Sequence, residues 1–185
     1  ALTAHSIAMN IFILAIMPMT GMSIAVSVLV GQRLGGADSA SAERATLSAV
    51  HLAAVFFAFA GLVMIVSPQW FIEPFARSMD LAVYEAAVPL VKTLLRLVAV
   101  FCIFESVSMM MAGALKGAGD TRFVAWIGIG STWLVLVLPT ALLVYIWGGD
   151  LIWSWVFFVL NGFIICLVHW LRFRAAKWKL LRVTI

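Results

Sequence analysis

LTAHSIAMNIFILAIMPMTGMSIAVSVLV, residues 2–30, runs its whole length without an aspartate, glutamate, lysine or arginine. As a continuous helix it would extend roughly 44 Å, against the ~30 Å of hydrocarbon in a bilayer. The same freedom from charge returns at residues 46–66, 123–147 and 151–171, and residues 97–115 hold a single charge, Glu105. Each run is near or above the ~20 residues that a membrane-crossing helix needs. Barrel strands are excluded, because lipid-facing and lumen-facing residues alternate along them over about ten positions, whereas these runs are unbroken. The expected fold is all-α and integral to a membrane, with five transmembrane helices: spans about 2–30, 46–66, 97–115, 123–147 and 151–171.

Composition points the same way. Of 185 residues, 65% are hydrophobic and 11% charged. A soluble domain could not cover such a core with so little charge, whereas the bilayer is itself an apolar solvent. Cys102 and Cys166 both fall inside spans, which gives no disulfide framework. His5, His51 and His169 are scattered over different spans, so no metal site is expected from them.

The cations are segregated. The connections at residues 31–45 and 116–122 and the tail from Arg172 carry Arg33, Arg44, Lys116, Arg122, Arg172, Arg174, Lys177, Lys179 and Arg182. The opposite connections, residues 67–96 and 148–150, carry Arg77, Lys92 and Arg96. This asymmetry predicts a multi-pass protein of the inner (plasma) membrane with its C-terminus in the cytoplasm. The basic, Trp178-containing tail reads as an interfacial stop, not as a nucleic-acid surface. Residues 67–91 mix aromatic and charged side chains and read as a short surface helix leading into the third span. Pro18 and Pro139 predict bends in the first and fourth spans. Gly35-Gly36-Ala37-Asp38 and the segment from Lys116 to Arg122 read as turns closing two hairpins. Close helix packing is expected where small residues recur at a spacing of four, as at Gly21 and Ala25 or Gly31 and Gly35.

Glu105 is the candidate with most chemistry in it. It lies near the middle of its span, where an ionised carboxylate costs about 2.5–3.5 kcal/mol even on the lenient insertion scale. A partner cation, protonation, a bound ion or a water-filled cavity must offset that. Phe101, Cys102, Ser108 and Met109 are its helical neighbours at i−4, i−3, i+3 and i+4. They offer an aromatic wall, a hydroxyl and adaptable thioether surface to a cationic guest. Asn10, in the first span, is a further binding candidate; a purely helix-linking role is the alternative, as for Asn161. No nucleophile–base pair or paired carboxylates are legible, so an enzyme is not expected.

The order of motifs carries a resemblance. TAHSIAMNIFILAIMPMTGMSIAVSVLVGQRLGGAD (residues 3–38) resembles the eighth helix of multidrug and toxic compound extrusion (MATE) transporters. FESVSMMMAGALKGAGDTR (residues 104–122) resembles their tenth helix and following loop, WLVLVLPT (residues 133–140) the eleventh, and the Trp- and Arg-rich end the close of the twelfth. The resemblance implies part of a twelve-helix antiporter built from two six-helix lobes, one that exports organic cations and drugs in exchange for protons or sodium ions. It assigns this chain to helices eight to twelve of the C-terminal lobe. The odd number of spans and the abrupt start at Ala1 fit the C-terminal part of a longer protein, whose partners would be the N-terminal lobe and seventh helix. In several bacterial members an acidic residue on the tenth helix binds the coupling cation, and Glu105 stands there. Those members often pair aspartate with a tyrosine one turn earlier, where this chain has Phe101. Loss of the phenol oxygen favours a proton over sodium at Glu105. A related lipid-linked or polysaccharide flippase and a non-transporting membrane subunit are the alternatives. No cofactor beyond the coupling ion is implied.

Overall fold

The computed structural model describes residues 2–76, 81–148, 151–176 and 178. Of the charged residues, Arg77, Asp80, Asp150, Lys177, Lys179 and Arg182 lie outside the described residues. Among the described residues the regular structure is all helical: α1 (Leu2–Gly35), α2 (Ser39–Val66), a short α3 (Gln69–Ala76) and α4 (Leu81–Gly117). Then α5 (Thr121–Ser131) runs through a π-helical segment (Thr132–Val137) into α6 (Leu138–Trp147), and α7 (Leu151–Arg174) follows. Counting α5 to α6 as one rod, five helices are long and apolar enough to cross a bilayer.

The hydrophobic pattern explains the order of the layers. α4 is central and touches α1, α2, α3, α5 and α7. Val91, Leu94, Leu95 and Val98, all fully buried, recur at helical spacing along its first half, and Met110, Met111, Ala114 and Leu115 along its second. By contrast, α5 and the π-helical segment bury no residue, and Trp126 and Trp133 face outward. That apolar exterior is what a bilayer covers.

Two expectations are adjusted by the coordinates. Residues 67–91 hold not one surface helix but α3 and the first turns of α4. Glu85, Lys92 and Arg96 mark where hydrocarbon is left behind, yet a helix continues past that level as long as one face stays buried. The irregularity near Pro139 is a widened stretch rather than a simple bend. The Leu138 N–H donates to the carbonyl of Trp133, five residues back. A wider turn makes room for the proline ring, which lacks an N–H and clashes with the preceding turn of an ordinary α-helix. α1 continues unbroken through Pro18.

α1 and α4 approach most closely along a line of small residues. A Cβ added to Gly113 would lie 2.5 Å from the carbonyl oxygen of Ser23, and one on Gly117 would meet that of Ser27. One added to Gly31 would lie 3.3 Å from the Gly117 carbonyl oxygen. The Ser23 hydroxyl donates to the carbonyl of Met109 at 2.7 Å, so backbone contact is fixed by a hydrogen bond. Gly21 and Gly35 have no neighbour within 4 Å of an added Cβ, which places the close approach at Ser23, Ser27 and Gly31.

The hairpin turns share one geometry. After α1, the Asp38 N–H donates to the carbonyl of Arg33 and the Ala37 N–H to that of Leu34, with Ala37 at φ 58°. After α4, the Asp120 N–H reaches the carbonyl of Leu115 and the Gly119 N–H that of Lys116, with Gly119 at φ 88°. Both are Schellman closures, in which the left-handed residue lets the chain turn back and satisfies the last carbonyls. Asp38 then caps α2, its carboxylate accepting from the Ser41 N–H at 2.9 Å. Hydrogen bonds from Ser41 hold the Asp38 carboxyl below the usual carboxylate range. At the same end of the bundle, Arg172 of α7 donates to Asp120 at 2.8 Å and lies 4.6 Å over the ring of Phe123.

Candidate functional site

Glu105 sits on α4 at the junction with α1 and α7, as its neighbours on either turn show. One turn before it, Phe101 is buried and stacks on Phe158 of α7 at 4.2 Å, meeting Phe12 of α1 edge-on at 5.3 Å. One turn after it, the Ser108 hydroxyl is 3.1 Å from His169 Nδ1 of α7, and the Met109 carbonyl accepts the Ser23 bond from α1. Glu105 itself is half-buried, and among the described residues it has no hydrogen-bond or ion-pair partner. A carboxylate held in apolar surroundings without a partner is costly, and taking up a proton or cation removes that cost.

The sequence candidates are therefore partly brought together. Phe101, Glu105, Ser108 and Met109 form one strip, as their helical spacing requires. Phe101, however, is a packing residue of an aromatic cluster. Gly162 on α7 is what admits its ring, since an added Cβ there would lie 2.6 Å from Phe101 Cε2. Asn10 stands apart on an exposed face of α1, its side-chain amide donating to the Ser6 carbonyl at 2.9 Å. It lines a cavity of about 430 Å³ among α1, α2, α3 and α4, with Cys102, Pro18, Phe57 and Trp70. Cys102 lies one turn from Glu105, so the acid and this cavity adjoin the same stretch of α4. Cys102 and Cys166 are both free thiols.

Two polar pairs link α7 to its neighbours; a helix-linking role was expected of Asn161, while its partner and the Ser108–His169 pair were not. His169 is buried, bonded to Ser108 through Nδ1, with Nε2 unpartnered among the described residues. Asn161 accepts from the Ser131 hydroxyl, tying α7 to the last residue before the π-helical segment. Partners so distant in the chain leave no local pattern; an isolated polar side chain within an apolar run is the signal available. Among the described residues no three of His, Cys, Asp or Glu gather as a metal site.

The comparisons with known proteins settle the family. The MatE family model matches residues 1–143, a stretch that includes Glu105, the α1–α4 contact and the first cavity. The chain belongs to the MatE family. It is 35% identical over 122 residues to the multidrug resistance protein NorM of Burkholderia vietnamiensis, covering 66% of this chain and 26% of that protein. It is 32% identical over 158 residues to the probable multidrug resistance protein NorM of Brucella suis, covering 84% of this chain and 33% of that protein. With the probable NorM of Bradyrhizobium diazoefficiens, 30% identity extends over 175 residues, 94% of this chain and 37% of that protein. The chain thus spans between a quarter and two fifths of the relatives it matches. MATE proteins are membrane transporters and not enzymes, and α4 with its acid belongs to that shared part.

Proposed function

We propose that the chain forms helices eight to twelve, in the C-terminal lobe of a MATE antiporter that exports organic cations against an inward flow of protons, or of sodium ions. The lobe assignment rests on the order of the motifs at residues 3–38, 104–122 and 133–140. The coupling role rests on one observation, the half-buried Glu105 of α4 with no hydrogen-bond or ion-pair partner among the described residues. Empty, its charge is uncompensated; loaded with a proton, it is neutral and suits apolar packing. A proton needs one basic oxygen, whereas a hard cation needs several oxygen ligands, and Ser108 is already engaged with His169. That favours proton coupling. Alternating access needs one bundle moving against another, so transport requires the N-terminal lobe and seventh helix as partners. The excess of cations at the Arg33, Lys116 and Arg172 end supports a cytoplasmic location for that end, with the protein in the inner membrane.

Glu105→Gln and Glu105→Asp in the full-length gene test this. Vesicles at matched expression would be loaded with a fluorescent organic cation under an imposed proton or sodium gradient. Glu105→Gln is expected to lose at least tenfold in gradient-driven export, Glu105→Asp to keep part of it, and one gradient alone to drive the native protein. Equal export by native protein and Glu105→Gln makes the residue structural and overturns the proposal.

A further inference from the structure

Three hydroxyls lie around the turn that follows Glu105, and two of them are committed elsewhere. The Ser106 hydroxyl donates to the Ile103 carbonyl at 2.9 Å, and that of Ser23, on α1, to the Met109 carbonyl at 2.7 Å. Ser108 differs: the bond it makes among the described residues is to His169 Nδ1 of α7, at 3.1 Å. Ser108 is 2% and His169 3% exposed, so this chain's own helices enclose the pair.

The direction of that bond follows from the far side of the ring. His169 Nε2 is buried, with no partner among the described residues and no surface left open to one from elsewhere. In a neutral imidazole one nitrogen carries the proton and the other accepts. A proton on Nε2 would leave a buried N–H unbonded, which native structures rarely tolerate, whereas a bare Nε2 is the lesser cost. The proton therefore belongs on Nδ1, which donates to Ser108 Oγ. The Ser108 O–H is then unspent. It lies on the same face of α4 as Glu105, three residues along, where side chains of a helix meet.

Other titrating groups do not fill that place. Lys116 of α4 acts on His169, while the thiols of Cys102 on α4 and Cys166 on α7 adjoin Glu105. The surrounding runs 2–30, 46–66 and 123–147 hold no Asp, Glu, Lys or Arg. Within them His5 packs on Trp155 near the start of α7, and His51 and Tyr145 are exposed. Glu73 of α3 and Arg96 of α4 lie toward the opposite end, and Asp120 is paired with Arg172 at the basic end.

We propose that His169 is a positioning residue for the acid: by holding Ser108 through Nδ1–H, it leaves the Ser108 O–H to donate to the ionised carboxylate of Glu105, and so sets the pH at which Glu105 takes up its proton. When the proton arrives the carboxyl is neutral and the hydroxyl is released. The proton enters and leaves on Glu105, and His169 keeps its own. The inference rests on the coupling role proposed for Glu105 and adds the pair that tunes it.

The test uses the full-length transporter in vesicles exporting a fluorescent organic cation. The pH difference is fixed while both pH values are moved together, which gives a pH midpoint for export. Losing a donor to the carboxylate favours its protonated form. Ser108→Ala and His169→Phe are therefore each expected to move the midpoint by about one unit toward alkaline pH. The double variant is expected to move it no further, because both changes act through one bond. His169→Gln, whose amide keeps an N–H for Ser108, is expected to restore the native midpoint. An unmoved midpoint in Ser108→Ala, or shifts that add in the double variant, overturns the proposal. Ser108→Ala removes a single oxygen atom and decides the matter even where His169→Phe does not assemble. Glu105→Gln, measured alongside, separates the two readings. Export equal to the native protein's removes the coupling role and this inference with it; lost export with an unmoved Ser108→Ala midpoint overturns this inference alone.

Discussion

Adding one methyl group at Gly113 tests the contact on which α4 rests. In an exposed helix interior, Gly→Ala gains about 1 kcal/mol from backbone entropy and helix propensity. At Gly113 the new Cβ would lie 2.5 Å from the Ser23 carbonyl oxygen and 2.9 Å from its hydroxyl oxygen, both under the 3.0 Å that real Cβ contacts respect. The carbonyl is backbone and cannot rotate away, so α1 must move back by about half an ångström. Met110, Met111 and Ala114 beside it are fully buried and resist that movement. Overpacking of this kind costs about 1–3 kcal/mol. The Ser23–Met109 hydrogen bond at the same point is strained as well, and interhelical bonds in membranes are worth about 0.6 kcal/mol on average. Set against the propensity gain, Gly113→Ala is expected to destabilise by about 1–2 kcal/mol. Gly21→Ala, on the same α1 but with nothing within 4 Å, is expected to be neutral or stabilising. The assay is the fraction of purified transporter remaining monodisperse after heating in detergent, at matched expression. A shift of about 2–6 °C downward for Gly113→Ala is expected. If Gly113→Ala melts at or above the native temperature, the backbone contact between α1 and α4 is not as close as described.

Three further outcomes follow from the turns at the basic end. Ala37 occupies the left-handed position that Gly119 occupies in the second hairpin, so Ala37→Gly should raise and Gly119→Ala lower the same melting temperature, each by about 1 kcal/mol in stability. Asp38 has its carboxyl held below its unfolded value, so its capping contribution is complete above the ordinary carboxylate pKa and is lost as pH falls through the depressed one; Asp38→Asn should flatten the acid side of a melting-temperature profile measured against pH. Arg172→Lys keeps the charge but loses the planar group over Phe123, and should destabilise nearly as much as Arg172→Ala if that stacking matters alongside the Asp120 bond; a Lys variant that melts like the native protein would show charge alone to suffice.

How much of this was legible depends on whether a feature is local. Freedom from charge is a property of a continuous segment, so the crossing helices could be read from residues 2–30, 46–66, 123–147 and 151–171. The start of α4 could not, because hydropathy marks where hydrocarbon ends and Leu81 lies well before that point. Pro139 announced an irregular turn, but the six-residue extent of the π-helical segment depends on how the preceding carbonyls find partners. Small residues spaced by four occur in several registers of α1; α4 selects Ser23, Ser27 and Gly31, which a single helix cannot reveal. The strip around Glu105 was legible from helical spacing, while its surroundings were not. Phe101 is claimed by Phe12, Phe158 and Gly162, and Ser108 by His169, from segments far away in the chain.

Those long-range partners give Glu105 two unlike flanks on α4. Beyond Glu105, toward the basic end, Met110, Met111, Gly113, Ala114, Leu115 and Gly117 are packed to backbone contact with α1, and Asp120 is clamped to Arg172. Before Glu105, Val91, Leu94, Leu95 and Val98 are fully buried as well, and open space is met at the turn next to the acid, where Cys102 borders the 430 Å³ cavity. Close-packed contacts shift between discrete arrangements and resist small adjustment, whereas side chains beside a cavity have space to repack. A change of charge at Glu105 therefore acts between a stretch packed to backbone contact and a turn that borders open space. Placed two turns further along, the same carboxylate would meet the α1 backbone and have nothing free to move. On the proposed coupling role, the position of the acid along α4 matters as much as its chemistry: it is anchored on one side and adjustable on the other.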